Sequence, residues 1–320
     1  MSDGPFTRMT NKPLITPMDV PVKANSVFNP GVVEYDGETL LLLRIEVRRG
    51  ISEIRVARSK NGVDAWRFDD KALLCPDQAE FPYEEWGCED PRVTQIAPRE
   101  WVIAYTAYSR YGPAVALART KDFLTVERLG TVLPPTNKDA CLFPEQFDGH
   151  WIMLHRPVTG GQEHIWYASS PDDMVYWSQP GVLIPERGGP WWDGLRIGVG
   201  APPIKTDQGW LLIYHGVKEA AGHPVYRLGL ALLDLENPRK VLARASDWCF
   251  APEVDYEQYG LVPNVVFTCG AVVRGDEVWM YYGAADTVVG LATAKLSTLV
   301  DFAWKHDYLH MVGRNKGMVV

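Results

Sequence analysis

The sequence has no long apolar segment and no excess of positive charge. Its longest aliphatic run covers residues 40–43, whereas a membrane-spanning helix needs about 20 apolar residues. Residues 1–13 lack the apolar core of a signal peptide. The net charge is −8 over 320 residues, which disfavours nucleic acid and anionic membrane surfaces as main partners. We therefore expect neither a nucleic-acid partner nor a membrane partner.

Cysteine is scarce and does not form paired motifs. The five cysteines are Cys75, Cys88, Cys141, Cys249 and Cys269. Their number is odd and no Cys-x-x-Cys spacing occurs, which is typical of reduced thiols rather than of a disulfide framework. This pattern predicts a cytoplasmic protein.

The motifs of common cofactor and metal sites are also missing. The chain contains no Gly-x-Gly-x-x-Gly, Walker loop, His-Glu-x-x-His or EF-hand loop, so we expect no metal and no organic cofactor. No strong amphipathic helix pattern is found either. Hydrophobic residues make up 46% and charged residues 22% of the chain, so a large core can be buried. The 12 Trp and 14 Tyr suit either sugar stacking or strand packing.

One pattern recurs along the chain. An alternating strand, a Gly or Asp turn and a second strand rich in aromatic and aliphatic residues cover residues 29–44, 89–106, 139–156, 200–215 and 265–282. A third strand follows each hairpin, and a fourth extended piece follows most of them. The period of roughly 50–65 residues predicts an all-β fold, a five-bladed β-propeller. A pair of β-sandwiches is the alternative, but a single repeat along the whole chain disfavours it.

We expect residues 1–320 to form a single propeller domain with two appended ends. The N-terminal arm covers about residues 1–24, and the C-terminal tail about residues 305–320. These ends either pack on a neighbouring subunit, which would make a homo-oligomer, or are disordered.

Polar residues stand at equivalent ends of the repeats. In a propeller the innermost strands line a central channel, so residues far apart in sequence converge there. The predicted converging residues include Asn29, Arg44, Asp90, Lys138, Asp139, Arg156, Tyr214, His215 and Asp286. Polar groups gathered in this way indicate a ligand site.

The segment Glu89-Asp90-Pro91-Arg92 carries the candidate acid. Pro91 is expected to push Asp90 into an extended conformation at the mouth of a strand. A fixed carboxylate beside a cation can act as an acid. The alternative is a structural Asp–Arg pair, in which Arg92 does no chemistry and Glu89 only positions the loop.

Several cations join this acid in the predicted channel: Arg44, Arg156, Lys205 and His215. Arginine forks match phosphate oxygens, and lysine supplies a point charge. Glycoside hydrolysis normally needs two carboxylates. One acid with an anion cradle instead indicates that phosphate attacks a sugar.

Several motifs together resemble glycoside hydrolase family 130, the β-mannoside phosphorylases. They are residues 89–92, 137–140, 143–145, 155–157, 200–206, 209–216 and 281–286. The resemblance covers about residues 25–300. It implies a five-bladed propeller and inverting phosphorolysis of a β-mannoside to α-mannose 1-phosphate, with inorganic phosphate as co-substrate.

The resemblance also implies roles for individual residues. Asp90 falls on the catalytic acid, which is thought to pass its proton through the mannosyl 3-hydroxyl. The implied substrate-binding residues are Asn29, Arg44, Glu89, Asp139, Tyr214 and Asp286. The implied phosphate-binding residues are Arg156, Lys205 and His215.

The expected substrate is a β-1,4-linked manno-oligosaccharide, or mannosyl-glucose or mannosyl-N-acetylglucosamine, with β-1,2 linkage left open. Trp191 and Trp192 are candidates either for stacking the acceptor sugar or for loop packing. One rival is a hydrolase of the same family, in which Glu46, Glu145 or Glu163 acts as the base. The other rival is a sugar-binding propeller without catalysis.

Overall fold

The computed structural model describes residues 4–171, 173–220 and 222–307, and its regular structure is mostly β-strand. The first half of the chain contains β1 (Thr7–Arg8), β2 (Ala24–Tyr35), β3 (Glu38–Val47), β4 (Ser52–Ser59), β5 (Arg67–Phe68), β6 (Gly87–Ala97), β7 (Glu100–Ser109), β8 (Gly112–Thr120), β9 (Glu127–Leu133), β10 (Asn137–Leu142) and β11 (Trp151–Pro157). The second half contains β12 (Ile165–Ser170), β13 (Ser178–Ile184), β14 (Arg196–Val199), β15 (Ile204–Thr206), β16 (Gly209–Ala220), β17 (His223–Leu233), β18 (Val241–Arg244), β19 (Val266–Arg274), β20 (Glu277–Ala284) and β21 (Val288–Lys295). The helices are α1 (Asp255–Gln258) and α2 (Leu296–Lys305), with a 3₁₀ turn at Pro82–Glu84. The expectation of an all-β fold is confirmed.

The aliphatic run of residues 40–43 explains how the sheets pack. It lies in β3, and all four leucines are fully buried. Leu40 and Leu42 join one hydrophobic cluster, whereas Leu41 and Leu43 join another on the opposite face. Since successive side chains of a strand point to opposite faces, this sheet is covered on both sides.

The strands form antiparallel groups that follow chain order. One sheet has the order β10-β11-β12-β13, another has β14-β16-β17-β18 with β15 beside β16, and a third has β19-β20-β21-β1. The largest sheet has the order β2-β3-β4-β6-β7-β8-β9, with β5 beside β4. Among the described residues, the strand pairing that joins its two halves is the parallel pair of Ser52 with Gly87.

The N-terminal arm packs on its own chain. Thr7 and Arg8 form β1, which pairs antiparallel with β21, and Ile15 pairs with Val289. Phe6 and Ile15 are each 1% exposed. The expectation that this arm is disordered is therefore wrong for its described part. Most of the predicted tail, residues 308–320, lies outside the described residues.

Two elements differ from the sequence expectations. Helix α2 was not expected, yet Leu296, Leu299, Val300 and Ala303 follow helical spacing and belong to a hydrophobic cluster shared by the last two sheets. The segment 200–205, expected to be one strand, is interrupted between β14 and β15. Two prolines in this gap, which lack backbone donors, account for the break. No helix in the described ranges is long and apolar enough to cross a membrane.

The first strands of three groups share a bulge. Asn29, Asp90 and Asp139 have φ values of +47°, +51° and +52°. Each sits where the register with the next strand shifts, in β2, β6 and β10 respectively. The expectation that Pro91 holds Asp90 extended is therefore wrong. Asn and Asp tolerate left-handed backbone better than most residues, and the bulge re-aims their side chains.

Candidate active site

Asp90 is the centre of a buried polar cluster. Its side chain is only 2% exposed. Asn29 donates a hydrogen bond from Nδ2 to Oδ1 of Asp90 (2.9 Å), and Arg44 donates from Nη1 to the same oxygen (3.0 Å). The ammonium of Lys138 lies 3.8 Å from the other carboxylate oxygen. Asp90 is thus fixed by groups from three different strands.

Asn29 is itself held close to the last sheet. A Cβ atom on Gly283 would lie 2.1 Å from Oδ1 of Asn29. Only glycine at position 283 leaves room for the side-chain amide of Asn29. The donor to Asp90 therefore depends on a residue in β20.

Glu89 and Asp90 share the guanidinium of Arg44. Arg44 donates from Nη2 to Oε1 of Glu89 (2.7 Å). Burial favours protonation of both acids, but Arg44 and Lys138 outweigh it at Asp90 and hold the pKa of Asp90 below its ordinary value. At Glu89 burial wins over Arg44, and the pKa of Glu89 is raised. Arg44 and Lys138 therefore favour the ionised form of Asp90.

Asp139 lies in a second buried layer of the cluster. Arg92 donates from Nη2 to Oδ1 of Asp139 (3.4 Å). Nε of Arg156 lies 3.0 Å from Oδ2, and Nε2 of His215 lies 3.5 Å from the same oxygen. Burial opposes ionisation, but Arg156 and Lys138 hold the pKa of Asp139 well below its usual range. Asp139 is a counter-ion for the surrounding cations.

His215 is a neutral buried imidazole beside Asp139. Its ring lies 4.5 Å from that of Phe267, and burial lowers its pKa to about 3. Within the described part of the chain, neither ring nitrogen has a hydrogen-bond partner. A Cβ on Gly198 would lie 2.5 Å from Cε1 of His215, so β14 must carry glycine here. His215 can bond a polar ligand.

Arg156 and Arg196 complete the cationic part of the site, and the Tyr226 hydroxyl lies beside Arg196. Arg156 pairs with Glu163, and Nη1 of Arg196 lies 3.6 Å from the same carboxylate. Arg196 also donates from Nη2 to the hydroxyl of Tyr226 (3.0 Å), and Tyr226 stacks on His215. Sequence reasoning missed Arg196 and Tyr226, because only the register of β14, β16 and β17 brings them to Arg156.

Lys205 does not reach this cluster, so the expectation that it converges with Arg156 and His215 is wrong. Its ammonium bonds the carboxylate of Glu145 at 2.7 Å and 2.8 Å on the surface. Lys205 pairs with Trp210 near the turn of its hairpin. His215 lies five residues further along β16, which is about 17 Å. Lys138 is the lysine that the structure places beside Asp90.

Tyr214 does not reach the cluster either. It precedes His215 in β16, so its side chain points to the opposite face of the sheet. Its hydroxyl donates to Oδ2 of Asp193 (3.0 Å), and its ring stacks on Trp192 at 5.7 Å. Trp192 is buried and Trp191 lies under Arg187, so this tryptophan pair packs the loop.

Asp286 lies within the electrostatic field of Asp90. Its φ is +50°, in the turn between β20 and β21. Burial raises its pKa to about 6, opposed by Arg44 and assisted by the charge of Asp90. Of the predicted set, Asn29, Arg44, Glu89 and Asp286 therefore surround Asp90.

The three glutamates proposed as hydrolytic bases all have partners. Glu46 accepts from Asn25 (2.9 Å), Glu145 pairs with Lys205, and Glu163 pairs with the two arginines. Within residues 4–171, 173–220 and 222–307, no group of three or more His, Cys, Asp or Glu is placed to hold a metal ion.

Comparison with known proteins identifies the family. The model of glycoside hydrolase family 130, described as beta-1,4-mannooligosaccharide phosphorylase, matches residues 6–305. The chain is 35% identical to beta-1,2-mannobiose phosphorylase of Listeria innocua, over 92% of this chain and 97% of that protein. It is 34% identical to beta-1,4-mannooligosaccharide phosphorylase of Ruminococcus albus, over 92% and 89%.

The fold agrees with these matches. The structure of the Listeria innocua enzyme in complex with beta-1,2-mannobiose superposes with a TM-score of 0.85, covering 94% of this chain and 99% of that chain. A family match over almost the whole chain and a relative above 30% identity lead to one conclusion: the chain belongs to glycoside hydrolase family 130.

Proposed function

We propose that this protein is an inverting phosphorylase that cleaves a β-mannoside with inorganic phosphate and releases α-mannose 1-phosphate. One observation carries the proposal: Asp90, a buried acid fixed by Asn29 and Arg44, stands at the edge of a cluster of cationic side chains. Relatives at 34% and 35% identity bear the names of mannoside phosphorylases.

We propose that the chain forms a single five-bladed propeller. Five groups of about four strands follow one another, if the largest sheet is divided at its one parallel pair. The first strands β2, β6 and β10 contact one another in sequence, and β19 contacts both β2 and β6. β1 adds the outer strand of the last group. This arrangement supports a closed ring.

In the proposed reaction phosphate is the nucleophile. Lys138, Arg156, Arg196, His215 and Tyr226 supply the donors that would hold it. One phosphate oxygen attacks C1 of the mannosyl ring, the bond from C1 to the glycosidic oxygen breaks, and the leaving sugar takes a proton from Asp90 through the mannosyl 3-hydroxyl. No general base is required.

The cations also govern when Asp90 can act as an acid. While the site is empty of anions, Arg44 and Lys138 lower the pKa of Asp90. A bound phosphate carries up to two negative charges, which offset those cations and raise the pKa of Asp90 again. With its pKa raised in this way, Asp90 would take up from the solvent the proton that cleavage needs.

The remaining parts of the proposal follow from the same site. The partners are a β-mannoside and phosphate, and the reaction requires no metal or organic cofactor. Asn29, Arg44 and Asp286 would hold the mannosyl ring. The five free cysteines support a cytoplasmic location. Relatives named for β-1,2 and for β-1,4 substrates match at similar identity, so both linkages belong in the assay.

The test is a set of paired incubations of the purified protein. β-1,2-Mannobiose and β-1,4-mannobiose are each supplied with and without inorganic phosphate, and mannose 1-phosphate and free mannose are measured. We expect α-mannose 1-phosphate that depends on phosphate, from at least one disaccharide. Free mannose formed equally well without phosphate would show a hydrolase instead.

A further inference from the structure

Glu163 occupies the position between two arginines that a phosphate would need. One of its oxygens pairs with Nη1 of Arg156, and the other lies 3.6 Å from Nη1 of Arg196. Both arginines belong to the cationic cluster around His215. The carboxylate is thus an anion of the chain itself, set among donors that suit phosphate.

The side chain of Glu163 can leave this position while its backbone stays in place. Its amide donates to Oε2 of Glu186 (3.2 Å), and its carbonyl accepts from the amide of Ile197 (3.1 Å). These bonds fix the main chain, but within the described ranges no backbone group bonds the carboxylate, whose partners are the two arginines. The side chain is 21% exposed, so rotation about its own bonds can bring the carboxylate into water.

The two arginines do not lose their positions when Glu163 moves. Arg156 remains beside Asp139, with 3.0 Å between Nε and Oδ2. Arg196 remains bonded to the hydroxyl of Tyr226 and lies over its ring at 5.6 Å. Glu163 is therefore not needed to hold either guanidinium in the site.

We propose that the Glu163 carboxylate is a displaceable substitute for phosphate. In the free enzyme it pairs with Arg156 and Arg196, where it competes with inorganic phosphate and with the phosphate group of the product. This inference rests on the proposed phosphorolysis. A phosphate dianion offers more oxygens and more charge than one carboxylate, so at sufficient concentration it displaces Glu163 from the two arginines. The returning carboxylate then helps to expel the sugar phosphate after cleavage.

The decisive variant is Glu163→Gln, which keeps the shape and removes the charge. Competition predicts that this variant binds phosphate more tightly, by about three- to tenfold, as expected for loss of one partly exposed ion pair. The probe is inorganic phosphate titrated calorimetrically into the sugar-free protein. The Michaelis constant for phosphate should fall by a similar factor.

Glu186→Gln is the matched control. Glu186 bonds the amide of Glu163 and lies 3.7 Å from Nδ1 of His164, and no contact joins it to Arg156 or Arg196 in the described ranges. Removal of its charge should leave phosphate affinity within about twofold of the original value. A general effect of acidic charge near the site would instead shift both variants alike, and that result would overturn the proposal.

The outcomes separate this inference from the proposed function. If the unaltered protein neither binds phosphate nor requires it for turnover, phosphorolysis itself fails and the inference fails with it. If the unaltered protein binds phosphate and a folded Glu163→Gln protein binds it equally or more weakly, only the inference fails. Should Glu163→Gln not fold, Glu163→Asp withdraws the carboxylate by one methylene, and unchanged phosphate affinity in that variant would overturn the proposal.

Discussion

The ammonium nitrogen of Lys138 lies 3.8 Å from Oδ2 of Asp90, and the next residue, Asp139, pairs with Arg156 and lies beside His215. One short segment of β10 therefore contributes to both parts of the site. Lys138 faces the candidate acid, and Asp139 anchors the groups proposed to hold phosphate. This relationship orders the expected effects of substitution.

Replacement of Lys138 should weaken phosphate binding, whereas replacement of Lys205 should not. We expect Lys138→Met to raise the Michaelis constant for phosphate by about tenfold or more, because a partly buried point charge at the anion site is lost. Lys205→Met removes a surface pair with Glu145 and should change it less than twofold. Steady-state kinetics at varied phosphate checks both. Equal effects of the two substitutions would contradict the assignment of Lys138.

Asp90→Asn should abolish most of the activity and leave the fold intact. The amide has the same shape but cannot supply the proton, and general acid catalysis typically contributes a factor of about 10²–10⁴. The measurement is the rate of mannose 1-phosphate formation, with circular dichroism as the folding control. Glu89→Gln retains Asp90 and should lose less. Full activity in the Asp90→Asn protein would remove Asp90 from the mechanism.

Stability should fall in mild acid because of buried neutral histidines. Burial lowers the pKa of His215 to about 3 and that of His155 to about 4, whereas an unfolded histidine has a pKa of about 6.5. Below pH 6.5 the unfolded chain binds protons that the folded protein does not. The stabilisation is complete above that pH and is lost as the pH falls, by about 1.4 kcal/mol per unit for each histidine.

Asp286 opposes this trend, since burial raises its pKa to about 6, and it offsets roughly one of the two histidines below that pH. Glu89, whose pKa burial also raises, acts in the same direction as Asp286, so the net loss of stability between pH 6 and pH 4 should be well below that of two histidines alone. Urea unfolding at several pH values measures it. In a His155→Gln protein the slope between pH 6 and pH 4 should be lower than in the unaltered protein by about 1.4 kcal/mol per unit, and a slope equal to that of the unaltered protein would refute the assignment.

Arg8→Ala should destabilise the whole protein. Arg8 donates from Nε and Nη2 to the two oxygens of Glu257, each at 2.7 Å, and the side chain of Glu257 is 0% exposed. Loss of the cation leaves a buried carboxylate unpaired, which costs about 3–5 kcal/mol. Thermal and urea unfolding report the loss. Arg67→Ala breaks an exposed pair with Glu38 and should cost less than about 1 kcal/mol.

The repeat pattern of the sequence predicted part of the fold and part of the site. The hairpin pattern predicted the all-β fold, and the structure brings Asn29, Arg44 and Glu89, which the sequence had placed together, into one cluster with Asp90. The left-handed bulge also had a signal, because Asn29 and Asp90 each precede a proline at equivalent places in the repeat. That shared dipeptide indicates a common backbone feature, which the usual rule for residues before proline does not describe.

Residues whose role depends on register were not predictable in the same way. Lys205 and Lys138 are both polar residues near strand ends, but they lie at opposite ends of their hairpins, and only the turn position distinguishes them. Arg196 and Tyr226 come together because β14 and β17 both pair with β16. Tyr214 lies on the opposite face of β16 from its neighbour His215, because successive side chains of a strand point to opposite faces.

The pairing of β1 with β21 makes the order of synthesis matter. Arg8 is synthesised long before its partner Glu257, which lies 249 residues later in the chain. Phe6 and Ile15 therefore remain exposed during synthesis until β21, on which this segment packs, has been made. Contacts of such long separation form slowly, and waiting apolar segments invite aggregation. We expect N-terminal fusions to harm the yield of folded protein more than C-terminal ones.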